Sequence, residues 1–248
     1  VLNVSRIDAD DARPRAQGSP LSILREGFRY VAGHGPVRSL MALTLAPALF
    51  SMPIVLLLPA FVKQDLQGGP QDLGLLLSAL GIGAVLGSVA VVAVPEPRRP
   101  GQAAIIAVLL NSSLFVLLSF TQVLPLAALV VAFAGIFQAV HMALSQTIVQ
   151  LLVPSNMRGR VMSIWMINWG LMPLGLLPLS AAAENLGTPV AMVIGGGLSL
   201  AVGVFVLIWG RQLWTLTRDG IDGNSAQSGE PRGHDHPESP EAIAQIKR

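Results

Sequence analysis

Six apolar runs, near residues 39–62, 73–94, 102–120, 123–145, 161–183 and 190–210, contain no Asp, Glu, Lys or Arg. Each approaches the roughly 20 residues a helix needs to cross about 30 Å of hydrocarbon. Lipid offers no partner to a free N–H or C=O, so a crossing run must bond its own backbone, which a run of this length does as an α-helix. The runs fill most of the 248 residues, 52% of which are hydrophobic and 12% charged. A soluble domain carries about 25% charged residues to cover its surface, and this chain has half that. The expected fold is therefore all-α, a polytopic membrane bundle of six transmembrane helices. The connections 63–72, 95–101, 121–122, 154–160 and 184–189 leave no room for an extramembrane domain.

Charge orients the bundle. Arg25, Arg29 and Arg38 precede the first run, and Arg211 and Arg218 follow the last. Arg98 and Arg99 sit in the second connection, and Arg158 and Arg160 in the fourth. The other three connections hold only Lys63. Basic residues stay on the cytoplasmic side, so nine against one places both termini in the cytoplasm and the chain in the cell membrane. A net charge of +2 gives no support to nucleic-acid binding. With no cysteine, disulfide and thiol chemistry are excluded. No cofactor is expected, and the expected partners are the lipid bilayer and a small-molecule substrate.

The flanks differ in kind. Residues 1–18 read as a polar linker with Asp8, Asp10, Asp11, Arg13 and Arg15 close together, which is no secretory signal. Ser19-Pro20 starts a helix over 19–35, with Leu21, Leu24, Phe28 and Val31 at helical spacing and Arg25, Glu26 and Arg29 elsewhere around it. That pattern reads as an amphipathic helix at the membrane surface. The bundle proper occupies 36–215, and 216–248 is a polar tail expected to be disordered. Its His234 and His236 lack a third ligand, so no metal site is expected.

Polar residues within the runs are the candidates for function. Gln138, His141 and Ser145 stand at i, i+3 and i+7 and share one face of the fourth run, with Gln146 and Gln150 following. Such a face avoids lipid and turns to a cavity or to other helices. It lines a substrate path on one reading and makes interhelical hydrogen bonds on the other. Asn111, with Ser112 and Ser113, reads as packing polarity in the third run, and Asn168 as a cavity-side residue in the fifth. Gly83 and Gly87 form a G-x-x-x-G that admits a neighbouring helix closely, as do Gly195, Gly196, Gly197 and Gly203. Pro173 and Pro178 bend the fifth run. The six spans divide three plus three at 121–122. The first connection of each triplet lies on opposite sides, the arrangement of an inverted repeat.

The stretch L-L-V-P-S-N-M-R-G-R-V-M-S at 151–163, followed by G-L-M-P-L-G at 170–175, resembles the turn between helices ten and eleven of major facilitator superfamily transporters. Within that family the stretch resembles the enterobactin-exporter-like and drug-efflux-like branch. R-E-G-F-R-Y-V at 25–31 and P-V-R-S-L-M at 36–41 resemble the linker ahead of helix seven. The resemblance covers about 19–215 and implies the second half of a twelve-helix transporter, with an N-terminal six-helix half ahead of it. It implies export of a drug- or siderophore-like molecule by alternating access, without enzyme activity. Gly87, Arg98, Arg99 and Gly101 partly match the family's glycine-plus-basic loop, but Glu96-Pro97 replaces its Asp-Arg core. Arg158, Gly159 and Arg160 are the other loop candidates for gating. A non-transporting pseudo-transporter or membrane subunit is the alternative. A rhomboid-like intramembrane enzyme is disfavoured, because Gly87-Ser88 lacks the nucleophile's context.

Overall fold

The structure is a computed structural model and describes residues 20–93, 97, 99–153 and 155–214. Arg98, the 1–18 linker and the tail bearing His234 and His236 lie outside the described residues. Helix α1 (Pro20–Gly33) leads into a first span, Gly35–Gln64, built from α2 (Gly35–Ala46), a π-helical turn (Pro47–Ser51) and α3 (Met52–Gln64). Then come α4 (Pro70–Ala93), α5 (Pro100–Leu118) and α6 (Leu124–Leu152) as the second, third and fourth spans. The fifth is α7 (Ser155–Gly170) followed by α8 (Met172–Leu186), the sixth α9 (Thr188–Trp209), and a short α10 (Arg211–Trp214) closes the described chain. Among the described residues every regular element is helical, and six stretches are long and apolar enough to cross a membrane.

Proline explains where the spans depart from plain helices. Pro47 and Pro53 lack the N–H that would close the α-helical ladder of the first span. The chain answers with a π turn in which Met52 N–H bonds the Pro47 carbonyl five residues back. Val153, held before Pro154, is extended at φ −102° and ψ 121°, and there α6 stops. At 29 residues α6 is about 43 Å long and runs past the hydrocarbon, as its sequence implies. Arg158-Gly159-Arg160 is not a turn: α7 starts at Ser155, so all three residues are helical. Proline has already ended the previous helix, and one glycine inside a helix costs only about 1 kcal/mol. The bend expected at Pro173 falls two residues earlier, at Leu171 between α7 and α8. Pro173 itself is exposed, so it acts on the backbone rather than as a packing contact.

Apart from the fifth span on the sixth, which a one-residue turn joins, the main span pairings follow a pseudo-twofold. The second span packs on the fourth, the third on the fourth and sixth, and the first on the fifth and sixth. Exchanging the first three spans for the last three converts second-on-fourth into fifth-on-first and third-on-fourth into sixth-on-first, while third-on-sixth maps onto itself. Glycines mediate the matched contacts. A Cβ on Gly83 would overlap the Ala132 carbonyl, one on Gly87 the Ile136 carbonyl, and one on Gly135 the Leu80 carbonyl. In the mate pair, a Cβ on Gly175 would overlap the Leu49 carbonyl. Pro53 is the residue that deprives that carbonyl of its helical donor. Gly196 lies against Val116 and the Ser112 carbonyl, whereas Gly197 faces open space.

Buried polarity in the third span is paired. Asn111 Nδ2 donates to the Ala134 carbonyl at 2.9 Å, and Ser112 Oγ donates to Ser199 Oγ at 2.9 Å. Two apolar clusters hold the bundle. One, at the arginine-bearing end, joins Val31, Leu40, Ile105, Ile148 and Ile164. The other, toward the opposite end, joins Leu58, Phe61, Leu118, Val131 and Met192. The exterior is apolar, with Ile82, Val85, Leu86, Val89 and Val92 of the second span all exposed, a surface suited to lipid and not to water.

Just beyond the first span, one carboxylate oxygen of Asp65 is buried without a partner, and desolvation raises its pKa. The protonated form is thus favoured in the fold, so Asp65 destabilises the bundle once pH exceeds the ordinary carboxylate value near 4. Asp65→Asn should raise thermal stability at pH 7 by under about 1 kcal/mol, a small figure because the residue is only half-buried. The gain should vanish below pH 4 in melts of the detergent-solubilised protein. A gain independent of pH would assign it to something other than the charge.

Candidate functional site

Between the two apolar clusters the bundle opens into a cavity, and three spans build its wall at mid-height. The fourth supplies Gln138, His141, Met142 and Ser145, so the polar face expected from spacing points inward. The first supplies Thr44, then Pro47 and Ala48 of the π turn and Met52 just after it. The fifth supplies Trp165 and, beyond its break at Leu171, Met172. Both helix irregularities therefore fall where the wall is made. Irregular backbone is tolerated at membrane depth where it is buried in protein or borders a cavity.

The polar groups are held by one another and by sulfur. Ser145 Oγ and His141 Nδ1 share a hydrogen bond of 3.3 Å, one helical turn apart. Gln138 Nε2 donates to Met52 Sδ at 3.2 Å and ties the fourth span to the first. His141 and Ser145 are buried, and neutral imidazole offers one donor and one acceptor. Three methionines, Met52, Met142 and Met172, provide a polarizable lining that adapts to varied shapes. Space open to water-sized molecules is about 40 Å³, room for a water or two at about 30 Å³ of liquid volume each.

Gln138 and Met142 border a second, wider opening of about 500 Å³ between the second and fourth spans. Ser88 and Gln146 add polarity there, and Gly81 and Ala84 keep the second span's wall low. Gln138 thus borders both the mid-height cavity and this wider opening. Among the described residues no group of three or more His, Asp and Glu is placed to hold a metal ion.

The remaining sequence candidates lie elsewhere. Gly83 and Gly87 face the fourth span and do not line the mid-height cavity. Arg99 is exposed at the N-cap of α5. Arg160 binds Glu26 of α1 at 2.7 Å, and a Cβ on Gly159 would meet open space. Asn168 and Arg158 lie within α7, but their side chains are outside the described residues. Thr44, Pro47, Ala48, Met52, Trp165 and Met172 escaped the sequence reading, since apolar and small residues in an apolar run carry no contrast. The available signal was Pro47, Pro53 and Pro59, three helix breakers six residues apart in one span.

Residues 10–221 match the family described as transmembrane secretion effector, a group of the major facilitator type. Among curated proteins none matches the chain. The match covers all six candidate spans and every residue of the cavity wall, and the chain belongs to the transmembrane secretion effector family of major facilitator-type membrane transporters.

Proposed function

We propose that the chain is the C-terminal six-helix half of a twelve-span exporter that moves a small, drug- or siderophore-like molecule out of the cell by alternating access. The observation that carries this reading is the convergence of Gln138, His141 and Ser145 with the π turn of the first span and the break of the fifth on one mid-height cavity. Polar side chains and broken helices are both costly in hydrocarbon, and transporters place them together at the substrate site. The methionine lining suits a substrate that is largely apolar and variable in shape. In this reading the wider opening beside Gln138 faces the N-terminal half. Both termini and the Arg-bearing ends are cytoplasmic, by the distribution of basic residues.

Two measurements test it. In cells, a reporter fused after Arg218 should signal cytoplasm and one inserted at Gly68-Gly69 the outside, and the reverse at either site overturns the orientation. In vesicles, this chain alone should show no saturable transport of a fluorescent drug-like dye, while the protein including its N-terminal half should. Saturable transport by the chain alone would replace the half-transporter reading with a homodimer. Absence of transport by the longer protein, across dyes and siderophore-like chelators, would favour a non-transporting membrane subunit.

A further inference from the structure

The helix ahead of the first span is docked on the fifth. Glu26 Oε2 lies 2.7 Å from Arg160 Nη1, joining α1 to α7. Beside it, Gly27 sits so close that a Cβ would come within 2.8 Å of Ile164 Cδ1 and 3.2 Å of the Arg160 carbonyl. Val31, one turn on, is buried in the cluster that holds Val161, Ile164 and Trp165. Trp165 is also part of the cavity wall. A charge pair, a glycine contact and an apolar contact therefore fasten α1 to the helix that forms one side of the cavity.

Charge placement makes the pairing specific. Among the described residues Asp65, Asp72 and Glu184 lie at the end away from the arginines, and Glu26 is the one carboxylate at the arginine-bearing end. Its neighbours Arg25 and Arg29 are exposed, while Glu26 meets Arg160 across the helix contact. The pair is partly open to solvent, with the Arg160 and Glu26 side chains 29% and 43% exposed, so it is weak enough to break and re-form.

We propose that α1 is a latch on the arginine-bearing end of the fifth span, in which Glu26 and Gly27 position α7 and hold its Trp165 against the cavity. Release of the latch lets α7 swing about the break at Leu171 and opens the cavity toward that end. Glu26 is a positioning residue that acts through Arg160. The latch rests on the transport reading only in supposing that the cavity opens and closes.

The chain has no cysteine, so a single reporter thiol can be placed without background. Ala48→Cys, partly exposed and lining this cavity but not the wider opening, is labelled with a membrane-impermeant maleimide applied from the arginine-bearing side. Glu26→Arg and Arg160→Glu should each raise the labelling rate two- to fivefold. The double exchange, Glu26→Arg with Arg160→Glu, should return it to within twofold of the parent, which a merely structural defect would not do. Gly27→Leu, wedging the helices apart, should raise the rate further at unchanged elution and helical content. Single variants that label like the parent, or a double exchange as fast as the singles, would overturn the latch. Transport is scored separately in the full protein, so absence of transport by the parent with intact charge-swap rescue of labelling removes the transport reading and leaves the latch standing.

Discussion

Gly83→Ala should destabilise the bundle by about 2–3 kcal/mol, while Gly81→Ala, two residues away, should cost nothing. At Gly83 the added methyl would overlap the backbone of Ala132, which cannot rotate aside as a side-chain end can. The second and fourth spans must then separate, and overpacking of this kind costs about 1–3 kcal/mol. In lipid the separation is not compensated elsewhere, because close backbone contact is itself much of what holds such helices together. Gly81 has nothing within 4 Å of its added Cβ, so alanine there only restores helix propensity, a gain of about 0.5–1 kcal/mol. Gly175→Ala should behave like Gly83→Ala, since it meets the Leu49 carbonyl in the mate contact. Thermal unfolding of detergent-solubilised variants measures the difference. Equal midpoints for the Gly81 and Gly83 variants would show that the helices part without cost.

His141→Leu should lower export tenfold or more in the full-length transporter while folded yield stays near that of the parent. His141 is 5% exposed within the bundle, and it shares a hydrogen bond with Ser145 on its own helix. Once the imidazole is gone, the Ser145 hydroxyl can turn to a carbonyl one turn back, so packing should lose only about 0.6 kcal/mol, the usual worth of a polar contact between membrane helices. The cavity loses far more, because its wall changes from polar to apolar where an occupant would sit. A tenfold loss corresponds to about 1.4 kcal/mol of binding or barrier free energy. His141→Gln keeps a donor and an acceptor and should fall between His141→Leu and the parent. Asn111→Leu supplies the contrast: its bond to the Ala134 carbonyl is structural, so stability should drop while transport per folded molecule does not. Dye efflux from vesicles, normalised to folded protein, separates the cases. Full efflux by His141→Leu would assign the residue to packing.

Much of the fold was legible because the bilayer simplifies the problem. A charge-free run of the right length admits one backbone solution, so helix number, order and approximate ends follow from composition alone. The inward turn of Gln138, His141 and Ser145 was legible for the same reason, since one polar face on an apolar helix has one comfortable direction. The helical state of Arg158-Gly159-Arg160 was not. Charge and glycine mark a loop as readily as a helix start, and Pro154 decides between them only once the chain after it is seen to restart as α7.

What the sequence determined by itself was what each segment does toward its solvent: which runs enter lipid, which end carries the arginines, and which face of the fourth span turns away from hydrocarbon. Those properties depend on single residues and their spacing, so one helix at a time suffices. What only the tertiary structure decided was who meets whom. The π turn at Pro47–Ser51 forms one wall with the Trp165 side chain and the break at Leu171, although more than 100 residues of chain separate it from them. Gly175 matters because the Leu49 carbonyl, whose α-helical donor position is taken by Pro53, comes to rest against it. Glu26 matters because Arg160 faces it across a helix contact. Such pairings depend on how backbones approach one another, and a glycine, a methionine or a proline in an apolar run has no pattern of its own from which that approach can be read.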